Sequence, residues 1–175
     1  RPDRSSCRYA RRKRAGGCLA PEAAWLLERG LKTLAVRFRA QSTGAQRVAE
    51  FLARHPSVER VLYPGLPTHP SHALAQVMLD GFGAMVAFEV TGGDEAALRF
   101  IRRLELVLDA PSLGGVESLA SIPAFMSHAH ISEAERRAVG IGPGFVRLSV
   151  GIEDPDDLIH DLDRALSCAR GGDCP

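Results

Sequence analysis

An α/β domain is the fold class that the sequence predicts, with about four strands, five helices and the helices packed mainly on one face of the sheet. Three observations support this prediction. The 175 residues suffice for one domain with a core, but not for two ordinary ones. Apolar residues make up 45% and charged residues 25% of the chain, which is a globular composition. Short β-rich segments alternate with segments whose apolar residues recur at helical spacing.

The chain opens with two helical patterns. Residues 21–34 start at Pro21, and proline is favoured at the first position of a helix. Residues 36–55 continue the pattern until Pro56 stops it. The two stretches could form one bent helix or two.

The next elements are a strand, a short helix and a second strand. Residues 58–63 alternate in polarity and are rich in β-formers. Ser71 is predicted to cap a helix over residues 71–79. Residues 84–90, bounded by glycines, predict the clearest buried strand of the chain.

A long irregular segment follows the next helix and strand. Asp94 is predicted to cap a helix over residues 94–103, and residues 104–108 predict a strand. Residues 110–130 are rich in small residues, glycine and proline, so we expect an irregular loop. Loops of this length within a compact domain usually have a function.

The last elements are a helix, a strand and a helix. Ser132 stands three residues before Glu135, the spacing of a capping box, at the start of a helix over residues 132–139. Residues 145–150 predict a strand. Asp154 is predicted to be the N-cap of the final helix, whose first turn is acidic.

The charge of the chain is unevenly distributed. Residues 1–17 hold seven basic residues against one acid, so we expect a basic tail there, a domain over residues 18–170 and a short tail over residues 171–175. The tail could attract phosphates, but a solvated segment is the preferred interpretation, and no nucleic-acid partner is expected. No apolar run is long enough for a membrane span, and a cytoplasmic location is predicted.

No metal site is predicted. The four cysteines contain no C-x-x-C pair or zinc-ligand spacing, and we expect reduced thiols. The pairs His69/His72 and His128/His130 could bind a metal, but no carboxylate lies at a regular interval from them. Capping and surface hydrogen bonds are the preferred roles of these histidines.

Two features could bind a ligand. Arg147 lies within a short β pattern between apolar residues, so it could hold a carboxylate in a bidentate grip or simply face outward from a half-exposed strand. Ser112, Leu113 and Gly114 precede a second glycine, and such a segment lets backbone N–H groups approach a ligand closely. An ordinary turn is the alternative, since no phosphate-loop motif is present.

Several ordered segments resemble the C-terminal domain of the Cys/Met-metabolism PLP-dependent enzymes, the family of cystathionine γ-synthase, cystathionine γ-lyase and methionine γ-lyase. They read, in chain order, GGCLAPEAAWLLERGLKTLAVR, VERVLYPGLPTHPSHALA, GFGAMVAFEV, SLGGVESL with PAFMSHA, and GIGPGFVRLSVGIEDPDDLIHDLDRAL. The resemblance extends over about 150 residues, from Gly17 to Leu166. It implies the small C-terminal domain of a fold-type I PLP-dependent transferase, with a mostly antiparallel sheet.

The resemblance assigns roles to the two features. Arg147 matches the arginine that pairs with the α-carboxylate of the substrate. Ser112 matches a serine of the same pocket that contacts the substrate or the cofactor-linked lysine, an indirect cofactor contact, with the Leu113 and Gly114 backbone beside it. Some cystathionine-handling members carry Glu where this chain has Pro111, so O-acylhomoserine and methionine-like substrates stay open beside cystathionine.

The resemblance also implies that the PLP-binding part of the enzyme is missing from this chain. PLP forms a Schiff base with a lysine, which the family carries in an S-x-T-K type segment upstream of the matched part. The two lysines here, Lys13 and Lys32, do not have that context. No catalytic residue is therefore assigned, and we expect a chain that is inactive alone and does not retain PLP.

The expected partners follow from the same resemblance. They are a small amino-acid substrate, the missing N-terminal PLP domain or a full-length homologue, and further copies of the chain in a homo-oligomer. The alternative function is a non-catalytic interaction domain that pairs with full-length homologues and regulates them.

Overall fold

The computed structural model describes residues 18–169. Within that range it contains six α-helices, α1 (Pro21–Leu31), α2 (Leu34–Leu52), α3 (His72–Met78), α4 (Gly93–Arg103), α5 (Glu133–Ala138) and α6 (Pro155–Ala169). It also contains five strands, β1 (Val58–Leu62), β2 (Met85–Val90), β3 (Leu108–Asp109), β4 (Leu119–Ser121) and β5 (Phe145–Ser149), and a 3-10 turn at Pro123–Phe125. The two predicted tails, residues 1–17 and 171–175, lie outside the described residues.

The chain divides into two compact units, Arg1–Val36 and Arg37–Pro175. In the first unit, α1 carries several large apolar residues, yet none of its residues is buried. The Arg29 guanidinium lies over the Trp25 ring, 5.7 Å from its centroid. The two opening helical patterns are separate helices, because α1 ends at Leu31 and α2 begins at Leu34.

The second unit is built on a five-stranded sheet in the order β1-β2-β5-β4-β3. Its pairs are antiparallel except β3 with β4, which is parallel. In the register of the central strands, Arg147 of β5 lies opposite Ala87 of β2 on one side and Ser121 of β4 on the other. The mostly antiparallel sheet of the prediction is therefore confirmed.

The hydrophobic core lies on one face of this sheet. Alternate residues of β2 (Val86, Phe88 and Val90) are buried, and they share a core cluster with apolar residues of α2, α4 and α6. The residues between them (Met85, Ala87 and Glu89) are only half-buried. Since side chains alternate across a strand, α2, α4 and α6 cover one face, in agreement with the predicted packing of helices mainly on one face, and Arg147 projects from the other.

The strand count differs from the prediction by one. The sequence predicts strands at residues 58–63, 84–90, 104–108 and 145–150. The prediction at 104–108 is largely wrong, because the strand there is Leu108–Asp109 and the backbone N–H groups of residues 105–107 bond to Asp161 instead of a neighbouring strand. The structure also adds β4, within the segment predicted to be irregular. β4 has only three residues, too few for an alternating pattern to be recognised. It forms because it pairs with both β3 and β5.

Two of the four predicted helix caps are observed. Ser132 and Glu135 form a capping box, and Asp154 Oδ1 accepts from Asp156 N at 2.8 Å. Ser71 precedes α3 without a side-chain cap hydrogen bond. The Asp94 prediction is wrong, because α4 begins one residue earlier after Gly92, and Asp94 instead accepts from Gly144 N at 2.7 Å.

The sequence also predicts the state of the cysteines and the absence of a membrane span. Cys18 is a free, exposed thiol, but Cys168 is disulfide-bonded, so the expectation of reduced thiols throughout is wrong. Among residues 18–169, no helix has the length and apolar character needed to cross a membrane.

Candidate functional site

Arg147 lies at the centre of the candidate site, in the middle of β5 on the face opposite the core. Its Nη2 donates to the carbonyl oxygen of Pro111 and, at 3.3 Å, to that of Ser112. The two features that the sequence singled out, separated by 35 residues, are therefore in contact. The outward-facing alternative is correct about direction, but the arginine faces the loop rather than open solvent.

The charge of Arg147 has no acidic partner within residues 18–169, whose ion pairs do not include it. Arg60 on the same face provides the contrast. It lies opposite Glu89 in the register, and its Nη2 and Nε contact the two Glu89 carboxylate oxygens at 2.6 and 3.1 Å. On the face opposite the core, Arg60 is thus neutralised by Glu89, while Arg147 can receive an anion.

The loop beside Arg147 is held in place by hydrogen bonds from two elements. Gly114 N donates to Ser149 Oγ at 3.1 Å, and Gln41 Nε2 of α2 donates to the Gly115 carbonyl at 2.6 Å. Ser149 stands two residues after Arg147, so both side chains project from the same face of β5. Gly114 has a φ of +77°, which a glycine adopts without strain.

Further along, the loop is tied to the turn that follows β5. Glu153 accepts from Ser118 N at 2.7 Å and from Ser118 Oγ at 2.8 Å. The Ser118 hydroxyl oxygen accepts in turn from Gly151 N at 2.8 Å. The strand that carries Arg147 and the loop that faces it therefore form one hydrogen-bonded unit.

The chain before the loop is held by a buried carboxylate. Asp161 of α6 accepts from the backbone N–H groups of Glu105, Leu106 and Val107 at 2.9, 3.0 and 3.0 Å, and from Arg164 Nη2 at 2.7 Å. Burial by itself acts to raise the pKa of Asp161, but these hydrogen bonds outweigh it and the pKa lies below its ordinary value. Asp161 thus fixes the segment that leads through β3 to Pro111.

The predicted site residues lie together. Ser112, Leu113 and Gly114 are exposed and adjoin Arg147, and the Ser112 hydroxyl has no hydrogen-bond partner among residues 18–169. Sequence reasoning missed Gln41, Ser149 and Glu153. Only Ser149 had a signal, its i+2 spacing from Arg147, since the other two reach the loop through the tertiary fold.

Three of the four paired histidines have the predicted hydrogen-bonding role, whereas His130 forms no hydrogen bond within residues 18–169. His69 Nδ1 accepts from Ser71 N at 3.2 Å, His72 Nδ1 lies 2.7 Å from the Pro64 carbonyl, and His128 Nδ1 lies 2.8 Å from Ser127 Oγ. Within the described part of the chain, no three histidine, cysteine or carboxylate side chains group as metal ligands do.

The described residues do not fit a Schiff-base cofactor site. Lys32 is the lysine among them, and its side chain is 70% exposed and pairs with Glu28 at 3.6 Å. A Schiff-base lysine needs an environment that holds the cofactor against it. Nothing in the surroundings of Lys32 supplies one, so no step through PLP is derived for this chain.

Comparison with known proteins identifies the family of the chain. Residues 4–167 match the family described as Cys/Met metabolism PLP-dependent enzyme, a match that begins within the predicted basic tail. The chain is 46% identical over 151 residues to cystathionine gamma-lyase of Bacillus subtilis and 47% identical over 152 residues to cystathionine beta-lyase of Lactococcus lactis. Each match includes 86% of this chain and 40% of the relative.

A solved structure shows the same fold. The structure of a cystathionine gamma-lyase from Micromonospora echinospora superposes with a TM-score of 0.84 at 44% identity, over 93% of this chain and 42% of that one. The chain thus spans about two fifths of the length of the relatives that it matches. It belongs to the PLP-dependent enzyme family of cysteine and methionine metabolism.

Proposed function

We propose that this chain is the substrate-side domain of a PLP-dependent lyase or transferase of sulfur amino-acid metabolism, and that Arg147 binds the α-carboxylate of the amino-acid substrate. The observation that carries the proposal is an arginine without an acidic partner, facing a loop with an unpartnered hydroxyl. Guanidinium geometry matches a carboxylate, and charge-assisted pairs are among the stronger hydrogen bonds.

The surroundings of Arg147 favour an anion over a neutral ligand. The nearest polar groups from the loop are carbonyl oxygens, which leave the positive charge uncompensated. Arg147 is half-buried between β2 and β4, so its charge is screened less by water than that of a fully exposed arginine. A carboxylate would supply the missing countercharge.

The substrate class is proposed more broadly than the names of the relatives. Pro111 stands where some cystathionine-handling members have Glu, and its side chain cannot hydrogen-bond the distal polar end of cystathionine. Its carbonyl is already used by Arg147. Elimination or replacement on O-acylhomoserine or methionine-like substrates is therefore proposed beside cystathionine itself.

The 175-residue chain by itself is proposed to be inactive and not to retain PLP, because Lys32 is exposed and paired. Mixing the purified chain with PLP and recording its visible absorbance after dialysis tests this point. We expect no stable imine band. A band that persists in the unaltered chain and disappears in Lys32→Ala would overturn the expectation.

The carboxylate role is tested in an active enzyme. A chimera replaces the matching segment of the Bacillus subtilis cystathionine gamma-lyase with residues 18–169, and its imine absorbance shows that the cofactor is bound. Arg147→Gln should lower kcat/KM by about 30- to 1,000-fold, as expected for about 2–4 kcal/mol of lost ion pairing. Arg60→Gln is the matched control, and we expect a change below about threefold. Near-normal kinetics of Arg147→Gln in a chimera with intact imine absorbance would reject the assignment.

A further inference from the structure

The loop carbonyls accept hydrogen bonds from Arg147 Nη2, a nitrogen that a bidentate carboxylate also uses. A guanidinium grips a carboxylate bidentately through either the Nη1–Nη2 pair or the Nε–Nη2 pair, so each grip uses Nη2. In this structure Nη2 donates to the carbonyls of Pro111 and Ser112. A bidentate carboxylate therefore competes with these carbonyls for the N–H groups of Nη2.

The downstream half of the loop is held separately from Arg147. Gly114 N is bonded to Ser149 Oγ, the Gly115 carbonyl to Gln41 Nε2, and Ser118 to both oxygens of Glu153. None of these contacts involves the guanidinium. The two halves of the loop can thus respond differently to a ligand.

We propose that Gln41, Ser149 and Glu153 are positioning residues that anchor residues 114–118, so that a carboxylate bound at Arg147 displaces only the carbonyls of Pro111 and Ser112. The inference rests on the proposed carboxylate role of Arg147. The chain then moves only at the Ser112 end, while Gly114, whose positive φ suits a bend, marks the start of the anchored half. Ser112 would then move toward the ligand while the chain from Gly114 onward stays in place.

Gln41 anchors the loop to a different element from the other two positioning residues. Ser149 and Glu153 lie on β5 and just after it, whereas Gln41 comes from α2 and is 5% exposed. Its bond to the Gly115 carbonyl therefore joins the loop to a helix of the core. Loss of this bond should loosen the loop without removing any group from Arg147.

The test uses the whole 175-residue chain and measures amide hydrogen exchange and the Arg147 Nε–H NMR signal. Sodium acetate is the carboxylate probe, with sodium chloride at equal ionic strength as the reference. In the unaltered chain, acetate should shift the Arg147 signal and the amides of Ser112 and Leu113, and leave residues 114–118 unchanged. In Gln41→Met, exchange at residues 114–118 should rise about fivefold or more, and the effect of acetate should spread into them.

Gln46→Met is the matched control, because Gln46 lies on the same helix and bonds Glu50 and the Gly65 carbonyl instead of the loop. It should leave residues 114–118 unchanged. If Gln41→Met fails to fold, Ser149→Ala removes the acceptor for Gly114 N and tests the same anchoring.

The outcomes separate the two proposals. An Arg147 signal that acetate does not move would reject the carboxylate role. A shifted Arg147 signal with changes spread over residues 112–118 in the unaltered chain, or unchanged exchange in the anchor variant, would reject the positioning role alone.

Discussion

Asp161→Asn is expected to destabilise the chain strongly, because one buried carboxylate satisfies three backbone donors and an arginine. Its Oδ1 accepts from Glu105 N and Arg164 Nη2, and its Oδ2 accepts from Leu106 N and Val107 N. Asparagine keeps the size of the side chain but has one oxygen and one NH2 group. In either orientation, one set of donors faces another donor.

The magnitude follows from the lost contacts. The Asp161 side chain is 6% exposed, so water cannot replace the missing acceptor. Hydrogen bonds to charged groups contribute about 1.5–3 kcal/mol each, and two are lost. We therefore expect a loss of about 3–6 kcal/mol, which for a chain of this length lowers Tm by at least roughly 6–12 °C.

Urea unfolding followed by far-UV circular dichroism measures this loss. The one tryptophan, Trp25, belongs to the first unit, so its fluorescence is a poor reporter of the sheet. Asp163→Asn is the control on the same helix, since its carboxylate is 55% exposed and contacts His55 at 3.2 Å. We expect the control to cost less than about 1 kcal/mol. Equal losses for the two variants, or a loss below about 1 kcal/mol for Asp161→Asn, would refute the assigned role.

The pH dependence provides an independent check. Because the pKa of Asp161 is lowered in the folded chain, its stabilising contribution is present above the ordinary value of 3.8 and is lost as the pH falls through the lower folded value. The difference in stability between the unaltered chain and Asp161→Asn should thus be constant near neutral pH and shrink below about pH 4. A difference that grows on acidification would contradict this sign.

Three further predictions concern other parts of the second unit. Gly144→Ala should destabilise the chain more than Gly114→Ala in urea unfolding, because both have positive φ but an added Cβ at Gly144 meets a carbonyl oxygen at 2.5 Å, while the space at Gly114 is open; the reverse order would contradict the backbone assignment. Val77 and Met78 of α3 are 83% and 70% exposed, so sedimentation should show concentration-dependent self-association of the unaltered chain. V77K/M78K should reduce this association. Equal association of the unaltered chain and the variant would show that these two residues are not part of the contact. Burial raises the pKa of Tyr63 despite its contact with Ser42, so alkaline absorbance titration should show a phenol that ionises above pH 10 and is missing in Tyr63→Phe; a variant that keeps that step would refute the assignment.

Much of the site was accessible from sequence because local patterns determine it. The alternation around Arg147 placed it in a strand, and the Ser112-Leu113-Gly114 segment stood out by composition. The position of Arg147 beside that segment came from the family resemblance. The role of Gln41 could not have been predicted. A polar residue on a helix gives no sign that its side chain will be buried, or that it will bond to a carbonyl 74 residues further along the chain.

The sequence by itself determined the order of most helices and strands, the capping box at Ser132, and the family to which the chain belongs. These depend on residue spacing and local hydrogen bonds, which do not require contacts between distant parts of the chain. Only the tertiary structure decided which face of the sheet lies opposite the core, that Arg60 pairs with Glu89 while Arg147 bonds to loop carbonyls, and which side chains hold the loop. Those outcomes depend on strand register and on contacts between distant residues, and two arginines with similar local sequence patterns differ only in what the fold places beside them.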